Sequence, residues 1–403
     1  YIERSRGGDM AHGTDKIEPT GVASGLLRSS LIHASRDRSH GPRIANGLGV
    51  DEGKLFAVMI EFSLFNLMGF RARGAAVSDI LSDTATLVQH AEERGFDAAW
   101  FAEHHFSNYC ICPSPLLMVS HCAGITSRIH LGPAVIVVPL YQPVRLLEEI
   151  GMAAGLCGER LQLGIGSGYQ PFEFDRFGID LDQSKSELDE FIRLMDAAYA
   201  SETFAFDGRF TSLPETAIST RPTQMPPIWI AGDSEATHRL AARRGYTPII
   251  TGRGSGSDYL GDMRARIDAS YAAEGLSGDS HPLGILRFAC VTESAAETEA
   301  YLENVRYQLR LAAALRNRGE AMKRGMIVEA PTPGEQSLEE LARNLPVGDP
   351  ETIAERLTAD IKASGASHVM LNIQAGASTP AQSRRTIDAF ARDIRPAIER
   401  ALT

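Results

Sequence analysis

The chain lacks the features that mark several large classes of protein. Nowhere in its 403 residues is there an apolar run of the roughly 18 residues that a membrane-crossing helix needs, so no membrane association is expected. Basic residues are outnumbered, 40 Lys and Arg against 51 Asp and Glu, for a net charge of −11. Nucleic acids and anionic membrane surfaces call for a basic face, and neither is an expected partner. Cysteine is sparse: the five residues at 110, 112, 122, 157 and 290 are odd in number and unevenly spaced. That usage argues against a disulfide framework and for a reducing cytoplasm. No nucleotide fingerprint for NAD(P)H is visible. No lysine stands at the carboxyl end of a predicted strand, which leaves a Schiff-base aldolase without its nucleophile.

What is present is globular composition, 43% hydrophobic and 23% charged, enough for one large domain or two ordinary ones. Residues 1–54 read differently from the rest. They are rich in Gly, Ser and mixed charge without sustained periodicity, and a disordered or loosely attached extension is expected there. The run "RSSLIHASRDRSHGPR" has the Arg and Ser content of a transit peptide but no apolar segment after it. Met59, at the start of the first predicted strand, is a natural start for the domain.

From residue 55 onward, eight short apolar runs alternate with amphipathic segments. Strands are predicted over 58–65, 97–103, 130–138, 160–166, 227–232, 247–251, 283–291 and 368–374. Most are continuously hydrophobic, as parallel strands covered on both faces are. Helical patterns fill 78–94, 115–127, 143–157, 184–200, 234–244, 258–274, 294–315 and 350–364, and a last helix covers about 380–400. A doubly wound sheet also alternates, but eight evenly spaced units favour closure into a (β/α)8 TIM barrel over 55–403. Two insertions interrupt it. Residues 201–226 look like a hairpin with a Pro-rich loop, and 316–349 look like a mobile lid.

In such a barrel, the carboxyl ends of the strands carry the chemistry. The stretch "WFAEHHFSNYCICPSP" ends a strand near Ala102 and delivers Glu103 and His104 to that face. The plainer reading is a pair of histidines that cap a helix or satisfy the core. A metal site from His104, His105, Cys110 and Cys112 lacks a second cluster with zinc spacing. In "GERLQLGIGSGYQPFEFDRFG", Gly164, Gly166 and Gly168 alternate at a strand end, where the backbone can approach a flat or anionic ligand; turns alone explain such glycines equally well. In "WIAGDSEATHRLAARRG", a strand ends and Asp233, Ser234 and Thr237 open a helix. Its free N–H groups suit a phosphate, although an ordinary N-cap gives the same pattern. Asp233 would repel a phosphate unless its carboxylate turns away.

Together "GFDAAWFAEHHF", "LGPAVIVVPLYQPVRLLEE", the glycine-rich stretch, "IWIAGDSEAT" and "VGDPETIAERL…ASGASHVML" resemble the bacterial luciferase-like flavin-dependent monooxygenase family. The match runs in order from about residue 58 to 400 and weakens between 255 and 345. The resemblance implies a barrel holding FMN, or a deazaflavin, at the strand carboxyl ends. His104 then handles the flavin hydroperoxide, and Glu103 lies in the flavin pocket, orienting the ring or the imidazole. Ala134–Val135 is then a non-prolyl cis peptide under the isoalloxazine. Gly166, Ser167, Gly168, Tyr169 and Gln170 follow the ribityl-phosphate tail, and Ala231, Gly232, Asp233, Ser234 and Thr237 form the phosphate-binding helix start. Two departures stand out: luciferases carry a reactive cysteine at the position of Gly166 and a phosphate-neutralising arginine at that of Ser167, for which Arg253 is the candidate substitute. Light emission is therefore not implied. The expected activity is oxygenation of a small organic substrate by reduced FMN and dioxygen, with a separate flavin reductase as partner and a homodimer as assembly. Deazaflavin-dependent hydride transfer and a non-catalytic flavin-binding role are the alternatives.

Overall fold

The computed structural model describes residues 60–403 except 73, 75 and 277–280. The extension expected over 1–54, and Met59, lie outside the described residues. Five strands come first: β1 (Glu61–Asn66), β2 (Ala98–Phe101), β3 (His130–Pro133), β4 (Ile136–Val137) and β5 (Leu163–Gly166). A hairpin follows, β6 (Phe204–Asp207) and β7 (Ser212–Thr216), and then β8 (Ile228–Ala231), β9 (Thr247–Thr251) and β10 (Gly284–Phe288). Short pieces β11 (Cys290–Val291), β12 (Met322–Lys323), β13 (Met326–Ile327) and β14 (Val347–Gly348) precede β15 (His368–Asn372).

The helices are α1 (Val77–Glu93), α2 (Pro115–Ala123), α3 (Pro143–Cys157), α4 (Pro171–Phe177), α5 (Ser184–Ala200) and α6 (Glu235–Arg244). After them come α7 (Ser257–Ala273), α8 (Ala295–Arg316), α9 (Leu338–Asn344), α10 (Pro350–Ser364), α11 (Pro380–Ala389) and α12 (Arg395–Leu402). A π turn at Phe390–Ile394 joins the last two, so the predicted final helix is present with an interruption.

All eight predicted strands exist, and all pair in parallel. The ring runs β1, β2, β3/β4, β5, β8, β9, β10, β15 and returns to β1. Its third stave is broken into β3 and β4 at Ala134–Val135. Closure there uses the Leu131–Leu161 bridge, the Gln162 N–H donating to the Leu131 carbonyl (2.9 Å), and the β4–β5 pairing. The (β/α)8 barrel read from the alternation is the fold.

The chain has two tryptophans, and both fill the bore. The rings of Trp100 and Trp229 meet edge to face with centroids 4.9 Å apart, a favoured arrangement for two quadrupoles. Their indole N–H groups donate to Ser63 Oγ (3.1 Å) and Gln162 Oε1 (2.8 Å). Space for them comes from glycine: a Cβ on Gly132 would stand 2.7 Å from the Trp100 ring, and one on Gly284 3.0 Å from that of Trp229.

A second buried feature ties the loops at the mouth to the barrel. The Arg287 side chain on β10 is fully buried; its Nε donates to Asp360 Oδ2 on α10 (2.8 Å), Nη1 to the Ser255 carbonyl (2.8 Å) and Nη2 to the Asn344 carbonyl (2.7 Å). Burial pushes the Asp360 carboxyl up to about 6, against the pull of the guanidinium. That value lies above the ordinary aspartate range, so the group's contribution to stability is full below that range and is lost as pH rises through about 6. Arg287→Ala is expected to lower the unfolding free energy by about 3–5 kcal/mol, because it leaves a buried carboxylate without its partner. Chemical denaturation is expected to show a larger deficit at about pH 8 than at about pH 5, where the carboxyl can bury as a neutral acid. An equal deficit at both would contradict the assignment.

Candidate active site

A cavity of about 690 Å³ opens at the carboxyl ends of the ring, within the roughly 300–1,000 Å³ usual for small-molecule and cofactor sites. β2 ends at Phe101 and hands Glu103 and His104 to its wall. His104 Nδ1 lies 3.0 Å from Glu173 Oε1, and the same oxygen accepts the His105 backbone N–H at 2.7 Å. An oxygen already accepting one N–H presents its acceptor face to the ring, so Nδ1 is the protonated nitrogen and Nε2 is left for other work. The rings of Tyr109 and Tyr169 flank the imidazole at 4.9 and 5.9 Å.

Glu103 does not orient that imidazole. It is buried and turned to the neighbouring histidine: His105 Nε2 is 3.0 Å from Oε1, while the Val137 N–H and the Tyr141 hydroxyl both donate to Oε2 at 3.0 Å. Burial raises its carboxyl above the ordinary range, although these three neighbours pull it down. Glu103 is thus a strut between the β2 and β4 loops, and His105 is the core-satisfying histidine of the plainer reading. The partner of His104 is Glu173, which the sequence analysis missed together with its helix. The signs of α4 were there: Pro171 opens it and Gly178, at φ 71°, closes it.

The Ala134–Val135 peptide is cis, and both residues line the cavity. The alternating glycines also meet a packing demand. A Cβ on Gly164 would fall 2.1 Å from the Pro133 carbonyl oxygen, and one on Gly166 2.7 Å from Val135 Cγ2. Gly168, at φ 76°, is crowded by Phe174 and Val137. These glycines let β5 and its loop pack against the broken third stave. Gly166, Ser167, Gly168 and Tyr169 still face the cavity; Gln170 does not, being buried with its Nε2 donating to the Tyr169 hydroxyl (3.1 Å).

At the start of α6, Ala231, Gly232, Asp233, Ser234 and Thr237 line the same cavity. The Ser234 hydroxyl accepts the Thr237 N–H at 3.3 Å and lies 2.9 Å from Thr237 Oγ1. Asp233 is neutralised by Arg253, whose Nη2 is 2.9 Å from Oδ2. That removes the repulsion anticipated for an anion. Two further cations at this mouth escaped the sequence analysis because they belong to helices: Lys185 on α5 and Arg316 at the end of α8. Neither is paired with a carboxylate among the described residues, and the Arg316 guanidinium lies 4.8 Å from the Tyr169 ring centroid.

The two insertions contribute little to the cavity wall. The 201–226 hairpin lines no part of the cavity; Glu190 binds its turn through the N–H groups of Arg209, Phe210 and Thr211 (2.6–2.9 Å). From 316–349 only Arg316 and Asn317 reach the cavity. That segment is pinned rather than poised: the Ile327 N–H donates to Asn108 Oδ1 (2.8 Å), and Glu329 joins Arg71 (3.0 Å) and Arg310 (2.8 Å). The wall it was expected to supply is α8, through Gln308, Leu309, Ala312 and Ala313. Cys110 and Cys112, weighed as metal ligands, are buried thiols; burial pushes Cys112 up to about 12. Among the described residues no group of three or more His, Cys, Asp or Glu is arranged to hold a metal ion.

Functional groups gathered at the carboxyl ends of a (β/α)8 ring define an enzyme of the barrel class. The family model for luciferase-like monooxygenases matches residues 60–368, and the chain belongs to that family, as an oxidoreductase of the monooxygenase type. An uncharacterized protein of Sinorhizobium fredii, y4vJ, is 38% identical over 346 residues, covering 85% of this chain and 99% of that one. The oxygenase component of the flavin-dependent trigonelline monooxygenase of Acinetobacter baylyi is 27% identical over 314 residues, 74% of this chain and 85% of its own. Two solved structures share the fold. One is the oxygenating constituent of 3,6-diketocamphane monooxygenase from Pseudomonas putida in complex with FMN (TM-score 0.69, 20% identity, 84% and 98% coverage). The other is an F420-dependent secondary alcohol dehydrogenase in complex with an F420-acetone adduct (TM-score 0.65, 15% identity, 84% and 99% coverage).

The His104–Glu173 geometry has a direct spectroscopic consequence. In nitrogen NMR the wild-type His104 ring is expected as the Nδ1-protonated tautomer, and Glu173→Gln is expected to give a mixture of tautomers. A wild-type ring protonated only at Nε2 would contradict the pairing.

Proposed function

We propose that the protein is the oxygenase of a two-component system. It accepts reduced FMN from a separate flavin reductase and uses dioxygen to place one oxygen atom in a small organic substrate, the other leaving as water. One observation carries the reading: a single cavity gathers an imidazole with Nε2 uncommitted, the cis Ala134–Val135 peptide, and a helix start with nearby cations. The donor set suits a phosphate monoester. Asp233 is neutralised, and Lys185 and Arg316 are cations without carboxylate partners among the described residues, in a chain of net charge −11.

The phosphate would be held by the first-turn N–H groups of α6, the Thr237 hydroxyl, Arg253 and Lys185. The flat ring would lie toward Ala134–Val135, with Ser167 and Tyr169 beside the tail. Reduced FMN, when bound, supplies the two electrons with which dioxygen is activated. The rest falls to the protein. His104 donates or accepts a proton at Nε2, and Glu173 stabilises the imidazolium form and holds the ring's orientation. Burial pushes the Tyr109 hydroxyl well above its ordinary range, so it stays protonated as a neutral donor. Phe65, Leu67, Leu286 and Phe288 make the opposite wall apolar and exclude water.

Two measurements test this. Lys185→Ala is expected to raise the Kd for FMN about tenfold or more while leaving riboflavin, which lacks the phosphate, unchanged; equal losses would remove Lys185 from phosphate binding. Parallel titration with the deazaflavin decides between the cofactors, since preferential binding of the deazaflavin would replace monooxygenation with hydride transfer. With photoreduced FMN in air, His104→Ala is expected to change the rate of flavin reoxidation and the peroxide released per flavin. Values equal to wild type would remove His104 from the reaction.

The homodimer also finds support. Helices α2 and α3 pack side by side and expose Leu117 (71%), Met152 (62%) and Leu156 (53%), a grouping that a partner would cover. Light scattering is expected to report a dimer that Met152→Glu dissociates; a wild-type monomer at micromolar concentration would refute it. All five cysteines are buried free thiols, in keeping with a reducing cytoplasm.

A further inference from the structure

We propose that the substrate is a compact, uncharged ring bearing an O–H or N–H donor, recognised by the carboxamides of Asn372 and Gln308; this rests on the flavin reading above. Asn372 ends β15 and Gln308 lies on α8; both line the cavity, and they are 3% and 4% exposed. Neither carboxamide makes a hydrogen bond among the described residues. Asn372 Oδ1 and Gln308 Oε1 are shut from solvent with no donor. A buried acceptor without a donor costs stability, and native proteins pair most of theirs. Two such groups on one cavity wall are acceptors awaiting a ligand.

Their position separates them from the flavin cradle. In the ring, β15 stands four staves from β5 in either direction, so Asn372 faces Ser167 and the cis peptide from across the mouth. The Tyr301 hydroxyl donates to the Asn372 carbonyl at 3.0 Å, and Gln308 is two turns further along the same helix face. Two turns are about 10 Å. Between and around them the wall is Phe288, Leu309 and Ala312.

The charges at the site decide the rest. Each carboxylate lining the cavity is already engaged: Glu103 with His105, Glu173 with His104, and Asp233 with Arg253. A cationic substrate would find no free anion. The unpaired cations lie on the α5 and α8 ends of the mouth that the phosphate reading uses, which leaves the far wall neutral. A neutral donor suits two carboxamide oxygens, and the adjoining NH2 groups can answer an acceptor on the same ring.

Ligand-observed NMR with phenol, anisole and benzoate as probes tests this on the protein with and without oxidised FMN. Phenol is expected to bind about tenfold more tightly than anisole, which has lost the donor, and more tightly than benzoate. Asn372→Leu and Gln308→Leu are each expected to bring the phenol-to-anisole ratio toward one while the FMN Kd stays within twofold. Asn372→Asp, which keeps an acceptor and a similar shape, is expected to retain the preference for phenol, and it stands in should the leucine variant fail to fold. No preference in the wild type, or tighter binding of benzoate, would overturn the proposal. So would a loss of FMN affinity in Asn372→Leu as large as its loss of phenol affinity, since that would give the carboxamide to the flavin. If wild-type protein preferred phenol yet bound no FMN, the flavin reading alone would fall.

Discussion

Eight strands that all run the same way around a closed ring must all end at one rim. This constraint places every group discussed above. Glu103 and His104 leave β2, Ser167 leaves β5, Asp233 leaves β8, Arg253 leaves β9 and Asn372 ends β15. Residues from Phe65 to Asn372 line one cavity because hydrogen bonding between parallel neighbours leaves them nowhere else to go. The third stave is broken, and the glycines of β5 fit against it.

Within that frame a single oxygen has two duties. Glu173 Oε1 accepts from the imidazole of His104 and from the backbone of His105, so the side chain that fixes the ring's tautomer also fixes the loop that carries it. Glu103 performs a parallel service one residue earlier, joining His105 to Val137 and Tyr141. Two carboxylates and two histidines adjacent in space are therefore divided into the His104–Glu173 pair and the Glu103–His105 pair that braces the scaffold, Glu103 also lining the cavity.

Much of this was legible in the sequence, and the reasons are particular. The buried strands announce themselves as apolar runs because both faces are covered, and the helices by Pro or Ser at their starts, as at Pro143, Ser234 and Pro350. Asp233 and Ser234 were readable because they follow a strand directly. Contacts formed in three dimensions were not. Nothing in the order Glu-His-His reveals which histidine the glutamate will touch, and Glu173 is 69 residues from His104. Lys185 and Arg316 sit on helices, where position relative to a strand end gives no guidance. The insertions were misread for a related reason: length and polarity mark a loop, but whether it covers the mouth or is pinned aside depends on partners such as Asn108 and Arg310.

The tryptophan pair has a consequence of its own. By filling the bore beneath the cavity, Trp100 and Trp229 shut the barrel's lower end, and the glycines at 132 and 284 keep that plug tight. Entry at the rim, where the strands end, is then the route the architecture offers. A bulky cofactor lodged against the β5 side and a smaller guest on the β15 side would share this threshold, so each would narrow the way for the other.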